Sequence, residues 1–356
     1  MFFAHRATPA QQASAGFVTP FEWDVDLLGG YDHVFLDNVA GDPGSHHFGG
    51  CDTPDVGKHL AEGHFDALLV MGWHLKSYWQ AIWAAKTLGL RVMVRGDSQL
   101  DTPRGLPKRL AKGAVYPFLL RVFDAALFVG ERNRAYYAHY HYPQSRLFAS
   151  PHCVDTARFA QQATPDARFA LRRALRVNEN EKLILFAGKL VEFKRPLDVV
   201  AAAAALRGEG MNVHLMVAGS GPLQDEVRTR SLAASLPAHL LGFQNQTQIP
   251  AAYAASDVLV LPSTGRETWG LVANEALASG TPIVVSDAVG CAPDLAADGK
   301  VGRTFAMGDV NALAKALAAT LNNPPTPDRI RRVSDRFSLS VAVDGVEAAL
   351  RGMCTG

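Results

Sequence analysis

Cysteine is scarce in this 356-residue chain, and its four copies (Cys51, Cys153, Cys291 and Cys354) are scattered with no C-x-x-C pair. That spacing argues against a disulfide framework and against a cysteine-based zinc site, and it makes the reducing cytoplasm the expected setting. An excess of one charge is also missing, since 35 Lys and Arg face 34 Asp and Glu for a formal net charge of +1. Bulk attraction to nucleic acid is therefore not expected. No apolar stretch reaches the roughly 18–20 residues that a spanning helix needs. The opening Met1-Phe-Phe-Ala4 is too short for a signal peptide. What remains is an ordinary globular composition, 48% hydrophobic and 19% charged. The chain is longer than one usual core, which suggests two domains.

Short runs rich in β-branched residues alternate with helical stretches. Residues 67–71, 91–94, 126–129, 183–186, 213–217, 258–261 and 283–285 read as strands, and strands alternating with helices point to parallel sheets joined by crossovers. Turn chemistry at Phe148-Ala-Ser-Pro-His-Cys-Val-Asp155 suits a linker between two domains.

Two glutamates carry the most information. Glu267 and Glu275 have seven residues between them in Leu261-Pro-Ser-Thr-Gly-Arg-Glu-Thr-Trp-Gly-Leu-Val-Ala-Asn-Glu-Ala-Leu-Ala-Ser-Gly280. The apolar run before Pro262 reads as a strand, Gly265 and Gly270 as a loop, and the rest as a helix stopped by Gly280. Glu267 then lies in the strand-to-helix loop and Glu275 near the start of the helix. In an open α/β sheet this is the carboxyl-end crevice where ligands bind. A carboxylate accepts two adjacent hydroxyls, so the pair suits a ligand with two separate diols. A nucleotide sugar has them in its ribose and its hexose. The N–H groups around Trp269, Gly270 and Leu271, at the helix start, are placed to meet a diphosphate. From spacing alone, a surface helix with two solvated glutamates is an equal reading.

The surrounding chain breaks that tie. Glu267-Thr-Trp-Gly-Leu-Val-Ala-Asn-Glu275, with Ala278-Ser-Gly-Thr-Pro-Ile-Val-Val-Ser-Asp287 after it, resembles the donor-site signature of the retaining glycosyltransferases of family 4, the "group 1" set. Three further blocks follow that family's order: Leu183-Ile-Leu-Phe-Ala-Gly-Lys-Leu-Val-Glu-Phe-Lys-Arg-Pro196, Leu215-Met-Val-Ala-Gly-Ser-Gly-Pro-Leu223 and Leu241-Gly-Phe-Gln-Asn245. The resemblance covers residues 150–345. It implies an α/β protein of the GT-B type, with two facing Rossmann-like domains, parallel sheets and the active site in the cleft. Residues 1–152 would form the acceptor-side domain and 153–335 the donor domain. A last helix within 336–356 would cross back. The junction resembles the family's Asn-Gly-Val-Asp, with His152 and Cys153 in place of Asn and Gly.

The resemblance also implies site roles. Glu275 would hold the ribose diol and Glu267 the hexose hydroxyls. Lys189 and Lys194, beside Gly188, would meet the diphosphate, and Phe243 would stand at the donor rim. Cations at these phosphates stabilise charge that develops on the leaving group, which accelerates the reaction. The family usually has arginine at the position of Lys189; lysine keeps the charge but not the bidentate fork. Arg195 stands where the family often has glycine and would add a third cation. A solvated basic loop is the competing reading for these residues. No metal or other cofactor is required by this logic.

On the acceptor side, Met71-Gly-Trp-His74 and Val94-Arg-Gly-Asp-Ser98 end neighbouring strands. His74, Arg95 and Asp97 would therefore share one rim of the cleft, unless the histidine is structural. The N-terminal half has no candidate for a central first strand upstream of Trp23 apart from Met1-Phe-Phe-Ala4, so its domain is expected to lack that strand. A start placed one β-α unit too late and an edge-shortened domain both explain this. Either leaves sugar transfer in doubt, and an inactive nucleotide-sugar-binding scaffold is one rival function. A nucleotide-sugar epimerase or hydrolase is the other.

Several motifs are discounted. Asp24-Val-Asp26 is a D-x-D string, read here as a helix or strand entry. His46-His47 has no third metal ligand at a sensible spacing and reads as a loop. Gly219-Ser-Gly-Pro222 lacks the third glycine of a dinucleotide fingerprint. Between Arg91 and Arg134, nine basic residues (Arg91, Arg95, Arg104, Lys108, Arg109, Lys112, Arg121, Arg132, Arg134) face four acidic ones (Asp97, Asp101, Asp124, Glu131). With the apolar residues of 106–120, this segment can rest on anionic lipid; a solvated helix with one buried face is the alternative. The expected partners are a nucleotide-diphosphate sugar, a glycan or lipid-linked acceptor, and an anionic membrane surface touched peripherally.

Overall fold

A computed structural model describes residues 1–13, 18–102 and 105–354; Arg104 of the basic stretch lies outside them. Strands β1 (Phe2–Phe3) and β2 (Val34–Phe35) pair in parallel with each other. A four-stranded parallel sheet follows in the order β3 (Ala67–Val70), β4 (Arg91–Gly96), β5 (Ala125–Phe128), β6 (Leu147–Ala149). The second sheet has six parallel strands. They are β7 (Lys182–Ala187), β8 (Val213–Ala218), β9 (Ala238–Gly242), β10 (Val258–Leu261), β11 (Ile283–Ser286) and β12 (Gly302–Phe305). Their order is β12-β11-β10-β7-β8-β9, so the chain turns outward on both sides of the β7/β10 pair.

The central strands are apolar on both faces because helices cover both. Leu183, Leu185 and Leu259 pack on one side, and Ile184, Phe186 and Val260 on the other, each essentially inaccessible to water. Each such side chain contributes about 1.5–3 kcal/mol by leaving water. Five of the strands, β9 among them, were not legible as apolar runs of their own. β1 and β2 have only two residues, β6 three, and β12 (Gly-Arg-Thr-Phe) is an edge strand with two exposed polar residues. The Leu241-Gly-Phe block begins inside β9, whose last residue is Gly242.

Two chain segments tie the halves together. Val154 of the linker bridges to Ser338, just ahead of the helix Leu339–Cys354, which lies on β5 and β6 of the first sheet. Ala349 of that helix is buried with Met93, Ala125 and Leu127. Ser150 Oγ donates to Ala342 O at 2.9 Å.

The helix Leu106–Leu119 packs Tyr116 and Leu119 against the first-domain core and leaves most of its surface open. None of its residues is fully buried, and Leu106, Leu110, Val115 and Phe118 are exposed. Much of the basic stretch is spoken for. Arg91 meets Asp124, Arg134 meets Glu131, and Lys112 turns inward to Tyr136 Oη and the Tyr116 ring.

Candidate active site

β7 and β10 are neighbours, so the loops after them emerge side by side at the carboxyl rim. Thr264 N donates to Phe193 O at 2.9 Å and locks the two loops together. This brings Lys194 of the first loop onto Glu267 of the second, as an ion pair with both side chains about 85% covered. Ser263 Oγ donates to the same carboxylate oxygen, Oε2, at 3.2 Å. Oε1 accepts no hydrogen bond among the described residues. Lys189 lies close by; its burial and the neighbouring Lys194 charge push its pKa down, and Glu267 pulls the other way.

The helix Leu271–Ala278 begins at Gly270, whose φ of +101° is left-handed. A Cβ there would come within 2.4 Å of Leu261, so only glycine fits. The N–H groups of Trp269, Gly270 and Leu271 donate to no carbonyl among the described residues. They form a set of free donors at a helix N-terminus. The Trp269 side chain has another task. It is buried, its Nε1 donates to Asn274 Oδ1 at 2.8 Å, and its ring packs on His152 and Phe337.

Glu275 sits in a polar nest that the sequence did not reveal. Tyr253 Oη donates to its Oε2 at 2.6 Å, Gln246 adds a second hydrogen bond, and the Arg158 guanidinium is near. Burial nevertheless dominates and raises the carboxyl above its ordinary range, with those three groups opposing. Arg158 is held by Gln246, at 2.8 Å to its carbonyl and 2.6 Å to its Oε1. Arg158 comes from the helix Thr156–Gln162, Gln246 from a turn and Tyr253 from the helix Ile249–Ala255, and no local pattern marks them.

Arg195 does not supply the third cation of the loop. Its Nε donates to Asp198 Oδ2 at 2.6 Å and its fork turns to Gly308. Its φ of +52° is the left-handed conformation glycine adopts freely, which explains glycine as the alternative residue there. The Gly219-Ser-Gly turn is likewise explained by packing, since Cβ atoms at Gly219 and Gly221 would collide with the Gly188 and Leu190 backbone.

The first domain closes the cleft. Asp97 Oδ2 accepts from Thr268 Oγ1 at 2.5 Å, beside Glu267. Gln99 Nε2 donates to Gly265 O at 3.0 Å. His74 is exposed on the loop after β3, its ring against Tyr78. Arg95 is not with them. Its guanidinium donates to Ser150 O, Ser150 Oγ and Pro151 O, so it clamps the interdomain linker instead of facing an acceptor. His152, in that linker, is driven down to a pKa of about 4, by burial first and then by the Arg95 charge.

A segment near the amino terminus also reaches the donor side. The Phe21 ring lies 4.2 Å from that of Phe243, Asn245 Nδ2 donates to Glu22 O at 2.6 Å, and Thr247 N and Oγ1 both donate to Asp24. Asp24-Val-Asp26 is therefore neither a helix nor a strand entry. Asp26 Oδ1 accepts from Leu28 N and Gly29 N in a local turn, and Asp24 bonds across the cleft. Asx turns of this kind need no periodicity, so the pattern gave no sign of them.

The chain is similar to known glycosyltransferases in sequence and in fold. The family model for glycosyl transferases group 1 matches residues 167–336. The D-inositol 3-phosphate glycosyltransferase of Corynebacterium glutamicum (strain R) is 29% identical over 287 residues, covering 78% of this chain and 66% of that protein. The phosphatidyl-myo-inositol mannosyltransferase of Mycobacterium leprae is 36% identical over 151 residues, 42% of this chain and 39% of that one. The chain thus spans between about a third and two thirds of the length of the curated relatives it matches. Among solved structures, a glycosyltransferase from Rickettsia africae ESF-5 superposes with a TM-score of 0.71 at 15% identity, over 90% of this chain and 85% of that one. Anabaena Alr3699/HepE in complex with UDP does so with a TM-score of 0.71 at 18% identity, again over 90% and 85%. Residues 167–336 of this chain thus match the glycosyl transferases group 1, and the whole has the GT-B fold of two Rossmann-like domains with parallel sheets.

Proposed function

We propose that the protein transfers a sugar from a nucleotide-diphosphate sugar to a glycan or lipid-linked saccharide, with retention at the anomeric carbon and without a metal ion. The observation that carries this reading is the Lys194–Glu267 pair beside the free N–H groups of Trp269, Gly270 and Leu271. Lys194 and Lys189 would take the charge that grows on the departing diphosphate, where fixed cations act most strongly in the transition state. Glu267 would hold Lys194 through one oxygen and the hexose through the other. Glu275 would meet the ribose, held in place by Tyr253 and Gln246. Residues 1–152 would present the acceptor, with His74 and Asp97 on the rim, and 153–335 the donor. Support for a nucleotide-sugar donor also comes from the fold neighbour, which was solved with UDP.

Peripheral contact with an anionic membrane is part of the proposal. It is supported by the exposed Leu106, Leu110 and Phe118 of one helix, interleaved with exposed Lys108 and Arg109. No described helix is long and apolar enough to cross a membrane.

The test is product analysis with UDP- and GDP-linked sugars, with and without saccharide and glycolipid acceptors. Nucleoside diphosphate release that depends on acceptor, with the donor's anomeric configuration kept in the product by NMR, is expected. Donor consumption without acceptor would instead identify a hydrolase or epimerase, and absence of turnover with retained nucleotide binding would identify a scaffold.

A further inference from the structure

The loop between β2 and the helix Val56–Glu62 brings together three side chains that no step above uses. Asp42, His46 and His47 each offer a ligand atom, and these atoms all lie within 4.8 Å of one another. His46 Nε2 is 3.5 Å and His47 Nε2 3.3 Å from the same Asp42 oxygen, Oδ2. Around a tetrahedral zinc with bonds of about 2.0–2.1 Å, neighbouring ligand atoms stand roughly 3.4 Å apart. Both histidine-to-carboxylate distances match that edge. The His46–His47 side is at most 4.8 Å, and rotation of the exposed side chains would close it.

No third ligand is legible in the pattern because adjacent histidines usually diverge. Here a tight loop reverses that. Gly44 N donates to Gly50 O at 2.9 Å and Gly50 N to His47 O at 3.2 Å, closing the segment into a ring. Gln11 Nε2 fastens its outer side by donating to Pro43 O at 3.0 Å. A Cβ on Gly44 would stand 2.7 Å from His46 Nδ1, so the missing side chain is what lets the imidazole fold over the loop. The two rings meet at 4.7 Å and 77°, both turned toward Asp42.

We propose that Asp42, His46 and His47 bind one divalent cation of the zinc class on the rim of the N-terminal domain. Two imidazoles and one carboxylate suit zinc, cobalt or nickel and not magnesium or calcium, which prefer oxygen. The fourth position faces solvent and is open to water or to an anionic group. The site is separate from the donor loops, so it is independent of the metal-free transfer proposed above. His47 Nε2 also lies 3.1 Å from Asp42 O. That contact alone would hold the loop if no cation binds, and it is the alternative the experiment must separate.

The experiment uses the untagged full chain, stripped with chelator and dialysed at pH 7.5. Co²⁺ is titrated by visible absorption and ZnCl₂ by calorimetry, for the wild type, His46→Ala, His47→Ala and Asp42→Ala. One equivalent should bind to the wild type with tetrahedral cobalt bands, and each variant should lose at least tenfold in affinity. Mg²⁺ should leave the titration unchanged. All three residues are exposed, so unchanged melting temperatures without metal will show the variants folded. Absence of saturable one-to-one binding, or equal zinc affinity in wild type and all variants, overturns the proposal.

Discussion

Acid should loosen the protein at its domain junction, and His152 is the reason. Its imidazole packs on the Trp269 ring with centroids 5.3 Å apart, and its Nε2 is buried without a hydrogen-bond partner. Burial and the adjacent Arg95 lower its pKa from 6.5 to about 4. A base whose folded pKa is depressed leaves stability intact above its unfolded pKa and removes it as pH falls. The loss therefore runs from pH 6.5 down to about 4. One proton gives a slope of about 1.4 kcal/mol per pH unit, and the window totals about 3 kcal/mol. His152→Asn removes the titrating group. It keeps the backbone bonds, which run from His152 N to Val129 O and from Asn274 Nδ2 to His152 O. Urea unfolding followed by tryptophan fluorescence, at several pH values from 7.5 to 4, should show the wild type losing that much more stability than the variant. Other buried groups titrate in both proteins, His239 among them, and cancel in the difference. Parallel stability curves for the two proteins would refute the reasoning.

Lys194→Ala should raise the transfer barrier by about 2–4 kcal/mol, as loss of an oxyanion donor does, while turnover persists in EDTA. Breaking a buried pair can itself cost about 3–5 kcal/mol, so Lys194→Met/Glu267→Gln, matched in melting temperature to the wild type, should be equally slow. Rescue of that double variant, or manganese-dependent activity, would oppose the assignment. Asp24→Ala should release the segment that spans the cleft, costing about 1.5 kcal/mol for its charged hydrogen bonds, seen as faster proteolysis around Trp23. Phe118→Asp with Leu110→Asp should abolish sedimentation with phosphatidylserine vesicles and leave melting within about 0.5 kcal/mol of wild type.

The strands that carry the site were legible because their apolar runs are continuous. Val258-Leu-Val-Leu261 is buried on both faces and could be little else, and Pro262 and Gly270 fix where the loop and helix begin. The glutamate spacing alone left two equal readings, and the resemblance of the surrounding blocks pointed to the candidate site there. What escaped the sequence depends on contacts between distant segments. Arg95 ends a strand on the expected rim, yet its guanidinium finds the linker carbonyls 55 and 56 residues away. Asp24 finds Thr247, 223 residues on. Arg195 was read as a free cation because its Asp198 partner is an ordinary acid in a helix start, with nothing to mark it as paired. Tyr253 and Gln246 are further cases, since a residue that orients a carboxylate leaves no period or motif.

The central claim is that one glutamate serves the nucleotide and the other the sugar, and calorimetry on paired variants tests it most directly. Nucleoside diphosphate and the intact donor are titrated into the wild type, Glu275→Ala and Glu267→Ala. Glu275→Ala should weaken both ligands alike, because ribose is common to them. Glu267→Ala should leave the nucleoside diphosphate affinity near the wild type and weaken the intact donor, with turnover lost. Equal losses of nucleoside diphosphate affinity in the two variants would contradict the account.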